Sequence, residues 1–525
     1  MTIREQLDSI AEKRIIILDG AMGSLIQVLN LDEKSYRGGL FAEHKEPLFG
    51  CNDILCLTRP GAIGAIHDTY LEAGADIIET CSFNSTSISL ADYGLSHLSY
   101  EVSSAAARVA RKSADKFSTS DKPRFVAGSM GPTAKGASLY PDVNSPGKRS
   151  IEWHELETSY YDNARGLLDG GADLFIIETV FDTLNAKAAL FAINRLLEER
   201  RIDVPVIISA AISSEGGRLL SGQGLEAFFT SIQHVSHSFG NQPWAIGLNC
   251  SFNAPVLLPH LRLLSEIASC NIIAYPNAGL PNKFGRYDEM ADMMAANIEP
   301  YFKEGLVNII GGCCGSSPAH IAAIADKAQN YTPRKKPTHS NYACFSGLEA
   351  LQIKDNIVRF KHDQELLQKA IANNDYEDAA DIARDIIEDG YAVLNIETDS
   401  EEAISSFLNY ALMNPYIAKA PFYINSSNLN VIKTGLKRLQ GRGFAGPINL
   451  KDGEAEFLQK AKIIKSYGAA VVITLIDEKE AQTIYRLLQE IGFSAENIVF
   501  DPNITEENQL CTWIRDNCPG ALIAL

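Results

Sequence analysis

"LFIIETVFD", residues 174–182, decides the fold. An unbroken apolar run stops at an acid, and an amphipathic stretch follows. A strand with one wet face alternates; this one does not, so both faces are buried, as in a parallel sheet covered by helices. The same pattern recurs upstream in "IIILDGAMGS" (15–24), "ADIIETCSFNS" (75–85) and "FVAGSMGPT" (125–133). Downstream it returns in "PVIISAAIS" (205–213), "WAIGLNCS" (244–251), "NIIAYPNAG" (271–279) and "VNIIGGCCG" (307–315). Helical patterns separate the runs, for example "PGAIGAIHDTYLEAG" (60–74) and "EVSSAAARVARKSADKF" (101–117). Eight strand–helix repeats within residues 1–330 predict an α/β fold, a (β/α)8 TIM barrel rather than an open sheet.

The place where polarity enters each run matters more. The runs end in Asp19, Glu79, Ser129, Glu178, Ser213, Asn249 with Cys250, Asn277, and Cys313 with Cys314. In this fold strand ends converge on one rim, where active sites are built. A barrel kept only for stability gains nothing from acids, amides and thiols gathered at one end.

Residues 331–346, "YTPRKKPTHSNYACFS", are Pro-containing, basic and aperiodic, and read as a linker. A second strand–helix series follows over 347–525: "YAVLNIETD" (391–399), "PFYINSS" (421–427), "PINLKDG" (447–453), "AVVITLIDE" (470–478), "IVFDPN" (498–503) and "GALIAL" (520–525). With a weaker candidate at 356–360 the count reaches seven strands, so the second domain is expected to be an incomplete TIM-barrel-like unit, lacking at least a final strand and its helices.

The 525 residues are 46% hydrophobic and carry a formal charge of −18, which argues against nucleic acid or an anionic membrane as partner. No apolar run reaches the roughly 18–20 residues of a membrane span, and the N-terminus has no signal-peptide core, so a cytoplasmic protein is expected. Ten scattered cysteines form no secreted disulfide framework.

Cys250 ends the sixth run and Cys313 and Cys314 end the eighth, so three sulfurs can meet on the rim. Three thiolates with one position left open describe a catalytic zinc site, whereas a structural one closes with four protein ligands. The glycines of "GGCCG" are expected to supply the unusual backbone that turns both sulfurs to one metal. Two other readings stand beside it: buried cysteines that merely pack, and a vicinal redox disulfide. Neither accounts for Cys250 on the same rim. A zinc ion with three thiolates is a weak Lewis acid but suits a thiol substrate, which it deprotonates and leaves nucleophilic, so alkyl transfer to sulfur is the chemistry expected. Asp19 and Glu178 are candidates to hold a substrate ammonium, or else they cap the helices that follow. Backbone amides of "GSMGPT" would suit a carboxylate.

"LDGAMGS", "GADIIET", "FNSTSISLADYGL", "GSMGPT", "GLNCS", "YPNAGLPN" and "GGCCG" resemble, in order, the homocysteine-binding barrel of the cobalamin-dependent methionine synthases over essentially all of residues 10–330. The resemblance implies Cys250, Cys313 and Cys314 as zinc ligands and Asp19 and Glu178 as contacts to the homocysteine amino group, with Asn84, Ser129 and Asn249 as further substrate-binding candidates. Betaine-type and S-methylmethionine-type methyltransferases share the cysteines; the "LADYGL" region and the second barrel favour the methionine synthase type. Cys81 departs from the family, which has Asn in "ETNTF"; Asn84 is retained.

From about residue 342 the chain is similar to the same family's methyltetrahydrofolate barrel, and here the scaffold outlives the site. "NIVRFKH" replaces the "NIGERTN" signature, "NIETD" replaces "DINMD" with Asn395 and Glu397 at two altered positions, and Asn425 stands for the Asp of "DSS". Asp399, Asp477, Asp501 and Asn503 match. An Asp→Asn change presents donors to the pterin's donors, a buried mismatch of about 1–3 kcal/mol, which leaves methyltetrahydrofolate a doubtful ligand. No "DxHxxG" corrinoid-binding motif occurs. The function expected is therefore homocysteine S-methyltransfer, with a zinc-bound homocysteine thiolate attacking the methyl group of methylcobalamin supplied by a corrinoid-binding protein or module. The alternatives are an onium donor such as S-methylmethionine, and a non-enzymatic scaffold that docks a corrinoid protein.

Overall fold

The computed structural model describes residues 1–525 except 143, 144, 146, 147, 214, 235–241, 284, 338–342, 361–363, 452, 476, 505 and 506. Residues 338–342 of the expected linker thus lie outside the described residues, as do the last two of "NIVRFKH".

Eight parallel strands form the first sheet: β1 (Ile16–Ile17), β2 (Ile77–Glu79), β3 (Phe125–Met130), β4 (Leu174–Val180), β5 (Val206–Ala210), β6 (Ala245–Asn253), β7 (Asn271–Asn277) and β8 (Ile309–Ile310). Their order is β1-β8-β7-β6-β5-β4-β3-β2, and a parallel bridge from Leu18 to Ile77 closes the ring, so this is the (β/α)8 barrel expected. Inward side chains such as Leu18, Ile77, Phe125, Ile176, Ile207 and Ile273 fill the interior. The helix Ile3–Ala11 plugs the N-terminal end: Leu7 and Ala11 join the interior cluster, and the Trp244 indole donates to Asp8 at 2.8 Å. Only the opposite rim is left for chemistry.

An antiparallel hairpin, β9 (Ala343–Ser346) and β10 (Ala350–Ile353), precedes the second sheet. Its first strand comprises the last four residues of the expected linker. The second sheet holds β11 (Ile357–Val358), β12 (Leu394–Glu397), β13 (Phe422–Asn425), β14 (Phe444–Ile448), β15 (Ala470–Thr474), β16 (Ile498–Asp501) and β17 (Leu522–Ala524), all parallel. The order β11-β17-β16-β15-β14-β13-β12 makes it an incomplete barrel, as expected: β11 pairs with β17, and the sheet has no ladder between β11 and β12. β14 starts earlier than "PINLKDG" predicts. Pro447 has no N–H to give a ladder, and it sits where the β14–β15 register shifts between Ala445 and Ile448. Phe360 stacks on Tyr423 at 4.5 Å between centroids, and Phe345 of the hairpin lies 4.1 Å from Phe444, so aromatic rings fill the interior.

The hairpin and the segments just before β14 and β15 meet the flank of the first barrel. Gly224 donates to Leu348 O at 3.0 Å, and the Gln223 amide to Gly347 O at 2.7 Å. Phe191 stacks on Tyr467 at 4.9 Å, and the Arg438 guanidinium lies 3.2 Å from Glu152. Every one of these second-barrel groups precedes a strand, so its N-terminal end abuts the first barrel and its C-terminal rim points away. At the centre, Lys187 of the helix Thr183–Arg200 is 2% exposed and donates to the carbonyls of Leu439 (2.8 Å) and Gly441 (2.9 Å). Burial, aided by the charge of Arg442, pushes its amine down to about 7. A Lys187→Met variant keeps the bulk but leaves both carbonyls without a donor. It is expected to lose about 2–4 kcal/mol in denaturant melts; an unchanged midpoint would show that this contact does not hold the barrels together.

Candidate functional site

The thiols meet. The Sγ atoms of Cys250, Cys313 and Cys314 all lie within 4.8 Å of one another, and Cys250 and Cys314 stand 3.8 Å apart. Two sulfurs bound at about 2.3 Å to one tetrahedral ion are about 3.8 Å apart, so the donor set fits zinc. A disulfide needs about 2.05 Å, and all ten cysteines are free. Six others (Cys51, Cys56, Cys81, Cys270, Cys511, Cys518) are buried as packing residues would be, whereas these three are half-exposed at the rim.

Backbone strain falls at a different place from the one expected. Neither Cys313 nor Cys314 has positive φ; Cys250 (φ 55°) and Ser251 (φ 56°) do, which for non-glycine residues costs on the order of 1–3 kcal/mol each. Gly311 and Gly312 serve close approach instead: a Cβ on Gly311 would stand 2.8 Å from Asp19 O, and one on Gly312 2.6 Å from Ser316 Oγ. Only Gly315 (φ +81°) in this motif needs glycine for its backbone as well as for space. The crowded sulfurs share protons unequally. S–H groups of Cys250 and Cys313 drive Cys314 down to about 3, helped by the Tyr287 hydroxyl. Its own bonds to Cys250 and Cys314 hold Cys313 well above the usual thiol range. Cys250 is pulled down by Cys313 but carried up to about 11 by Cys314 and burial.

Beside the sulfurs lies a cavity of about 240 Å³ whose lining includes Asp19, Asp53, Glu79 and Glu178 but, among the described residues, no Lys, Arg or His. Asp19 Oδ2 accepts from the Glu79 amide at 3.0 Å, and Glu178 Oε1 accepts from the Ser129 hydroxyl. Asp19 Oδ1 and Glu79 Oε1 have no hydrogen-bond partner. Burial first, and mutual repulsion next, hold Glu79 well above the carboxylate range; burial does the same for Asp19 against the opposing Glu79 amide. Burial lifts Glu178 to about 7 despite Ser129, and Asp53 to about 7 despite the Asn84 amide. Acids crowded where no base answers them are a receptor for a cation.

Of the residues singled out in the sequence, Asp19, Asn84, Ser129, Glu178 and the three cysteines line this cavity. Asn249 stands behind its wall, its amide occupied by the Ser209 hydroxyl (2.7 Å), the Thr179 amide (3.0 Å) and the Thr179 hydroxyl (2.8 Å), so it fastens β4 to β6. The carboxylate-binding turn is partly spent, because Gly131 N–H donates to Phe83 O at 3.1 Å. Glu79 showed the strand-end signal yet was not taken as a ligand. Asp53, Tyr275, whose buried hydroxyl works with Ser129 to hold the Glu178 carboxyl down, and Tyr287 were missed. Asp53 and Tyr287 come from loops with no pattern to betray them, and Tyr275 reads as strand core.

In the second barrel each matched pterin-site residue serves its own neighbourhood. Asp399 accepts from Ser426 Oγ at 2.8 Å, Asp477 caps the helix Glu478–Glu490, and Asp501 accepts from the Asn503 amide at 2.8 Å. Asn395 is buried with its Oδ1 unpartnered, and Glu397 is exposed and takes a hydrogen bond from Gln368 at 2.7 Å.

Among solved structures, the chain is similar to the homocysteine methyltransferase MmuM from Escherichia coli in an oxidized form (22% identity over 62% of this chain and 99% of that one, TM-score 0.47). The metallated form of that protein gives 23% identity, the same 62% and 99% coverage, and a TM-score of 0.46. A B12-independent methionine synthase from Shewanella sp. W3-18-1 gives 15% identity over 53% of this chain and 88% of that one, with a TM-score of 0.32. The family of pterin binding enzymes matches residues 363–510. The family of homocysteine S-methyltransferases matches residues 16–328, the whole span that builds the thiol-and-acid cavity, and the two families follow one another in the order that the resemblance implies. With more than half of its length matched, the chain belongs to the homocysteine S-methyltransferase family.

Proposed function

We propose that the first barrel methylates the sulfur of homocysteine to give methionine, with zinc held by Cys250, Cys313 and Cys314 and a methylcorrinoid, presented by another module or chain, as methyl donor. One observation carries the reading: three thiols and four carboxylates, Asp19, Asp53, Glu79 and Glu178, share one cavity whose lining holds no basic side chain among the described residues. Zinc bound there supplies the coordination that turns a substrate thiol into a thiolate at neutral pH. The chain's own groups do the rest. The carboxylates hold the substrate ammonium, and its arrival expels the protons that burial keeps on them. Ser129 and the Glu79 amide fix Glu178 and Asp19 in place, so the amino acid enters with its sulfur toward the cysteines.

Attack on a methyl carbon requires an in-line approach, and positioning both partners is the largest contribution open to the protein. A cavity of about 240 Å³ is smaller than the 300–1,000 Å³ typical of drug-sized ligands, so it houses one small amino acid and leaves a bulky donor above the mouth. The segments after β1 and β7, the two strands that flank β8, expose Leu40 (69%), Phe49 (64%), Leu280 (53%) and Met290 (71%), apolar side chains open to such a donor. An onium donor would instead have to share the cavity with homocysteine.

The test is zinc-loaded chain with homocysteine and methylcobalamin, following loss of the cobalt–carbon absorbance and formation of methionine. Turnover that requires zinc is expected. Consumption of S-methylmethionine in its place would reassign the donor, and a chain that binds zinc yet methylates homocysteine from neither would sink the enzyme reading.

A further inference from the structure

A second cavity, of about 550 Å³, opens where the two barrels meet. Ser138, Tyr140 and Arg149 reach it from the segment after β3, and Arg218 and Leu220 from the segment after β5; the second barrel contributes Leu412–Lys419 and Arg438. Four of these side chains are basic, in a chain whose formal charge is −18. Two are answered: Arg218 pairs with Glu349, and Arg438 with Glu152 at 3.2 Å. The other two have no carboxylate in hydrogen-bonding range among the described residues. Arg149 donates to Asn409 Oδ1 (3.2 Å) and the Ala137 carbonyl (2.8 Å), with its guanidinium 4.5 Å from the Tyr140 ring centroid. Lys419 is exposed, with its amine 5.7 Å from the ring centroid of Tyr416.

A guanidinium taken out of water with only neutral acceptors leaves charge that a buried site normally pairs. Arginine and lysine converging on one cavity suit an oxyanion, the guanidinium by its planar fork and the ammonium as a point charge. Leu220, Leu412, Met413 and Pro415 supply apolar walls beside these cations, so the occupant is more than a bare ion. We infer that this junction is a binding site for a small organic oxyanion, a phosphate or carboxylate carried on an apolar body, held by Arg149 and Lys419 and touching both barrels at once. The cavity is separate from the three-thiol cavity, and its occupancy needs neither zinc nor homocysteine.

Phenyl phosphate and phenylacetate, titrated separately into the full chain by calorimetry at low salt, distinguish the phosphate source from the carboxylate source. Saturable one-to-one binding of at least one probe is expected, with a rise in the melting temperature, because a ligand that bridges both barrels binds only the assembled state. Arg149→Met and Lys419→Gln should each weaken it about tenfold or more. Lys419 lies on the surface, so its substitution leaves the fold intact and keeps the test open if the Arg149 variant unfolds. Binding should persist in Cys313→Ala, which separates this site from the methyl-transfer reading. No saturable binding of either probe, or equal affinity in the Lys419→Gln variant, would overturn the inference.

Discussion

Replacing Cys313 by alanine is expected to strip the chain of zinc, from one ion per chain to a small residue, and to lower methyl transfer by more than about 100-fold. Cys313 sits within 4.8 Å of both other sulfurs, so its loss turns a three-thiolate donor set into an open pair. Even changes in the groups around metal ligands cost about 10–100-fold in affinity or activity, and the loss of a ligand should exceed that. An ion that binds only the folded chain also stabilises it, by about 2.7 kcal/mol at a hundred times its dissociation constant, so the wild type alone should melt higher when zinc is added. Metal analysis of the dialysed proteins decides the matter. Full zinc content in the Cys313→Ala protein would remove the cysteines from the metal site, and the mechanism proposed for them would go with it.

Glu178→Gln should do two opposite things: stabilise the ion-free, ligand-free chain and abolish useful homocysteine binding. The sign follows from the direction of the shift. Burial raises the Glu178 carboxyl from 4.5 to about 7, so the folded state keeps a proton that the unfolded state has already lost. The cost is absent below about pH 4.5, grows as pH rises between about 4.5 and 7, and is fully present above that. Glutamine removes the titration, and the gain at pH 7.5 should be on the order of 3 kcal/mol. Melting wild type and variant side by side from pH 4.5 to 7.5 should show the curves diverging with pH. For homocysteine the variant loses a charged partner to the ammonium, about 2–5 kcal/mol, so the dissociation constant should rise about 30-fold or more. A variant that melts no higher, or that still binds homocysteine well, would mean that Glu178 is not the uncompensated charge described for the cavity.

The barrel was legible because each strand carries its own signature. Phe175, Ile176 and Ile177 stand in line before Glu178, and the same grammar holds eight times. The thiols were legible for the same reason, each lying where an apolar run gives way to polar or small residues. Glu79 carried an equal signal and was passed over, since a sequence shows which residues reach the rim but not which turn toward one another. Asp53 and Tyr287 arrive on loops whose course depends on contacts remote in the chain. Unusual backbone was expected at the glycines beside Cys313 and Cys314 because composition speaks of conformational freedom, whereas it falls at Cys250 and Ser251, and Gly311 and Gly312 are needed for space. The pairing of β11 with β17 was beyond reach, because a strand's residues say that it is buried and nothing about its neighbour.

Lys187 and the rings of Phe191 and Tyr467 staple the closed end of the second barrel to the first, so its opening cannot swing round to the three thiols. On the function proposed above, a donor carrier that served both openings would have to travel between them on a tether, and the tether would set the pace of the round trip: too short and it reaches only one port, too long and the local concentration at both thins out.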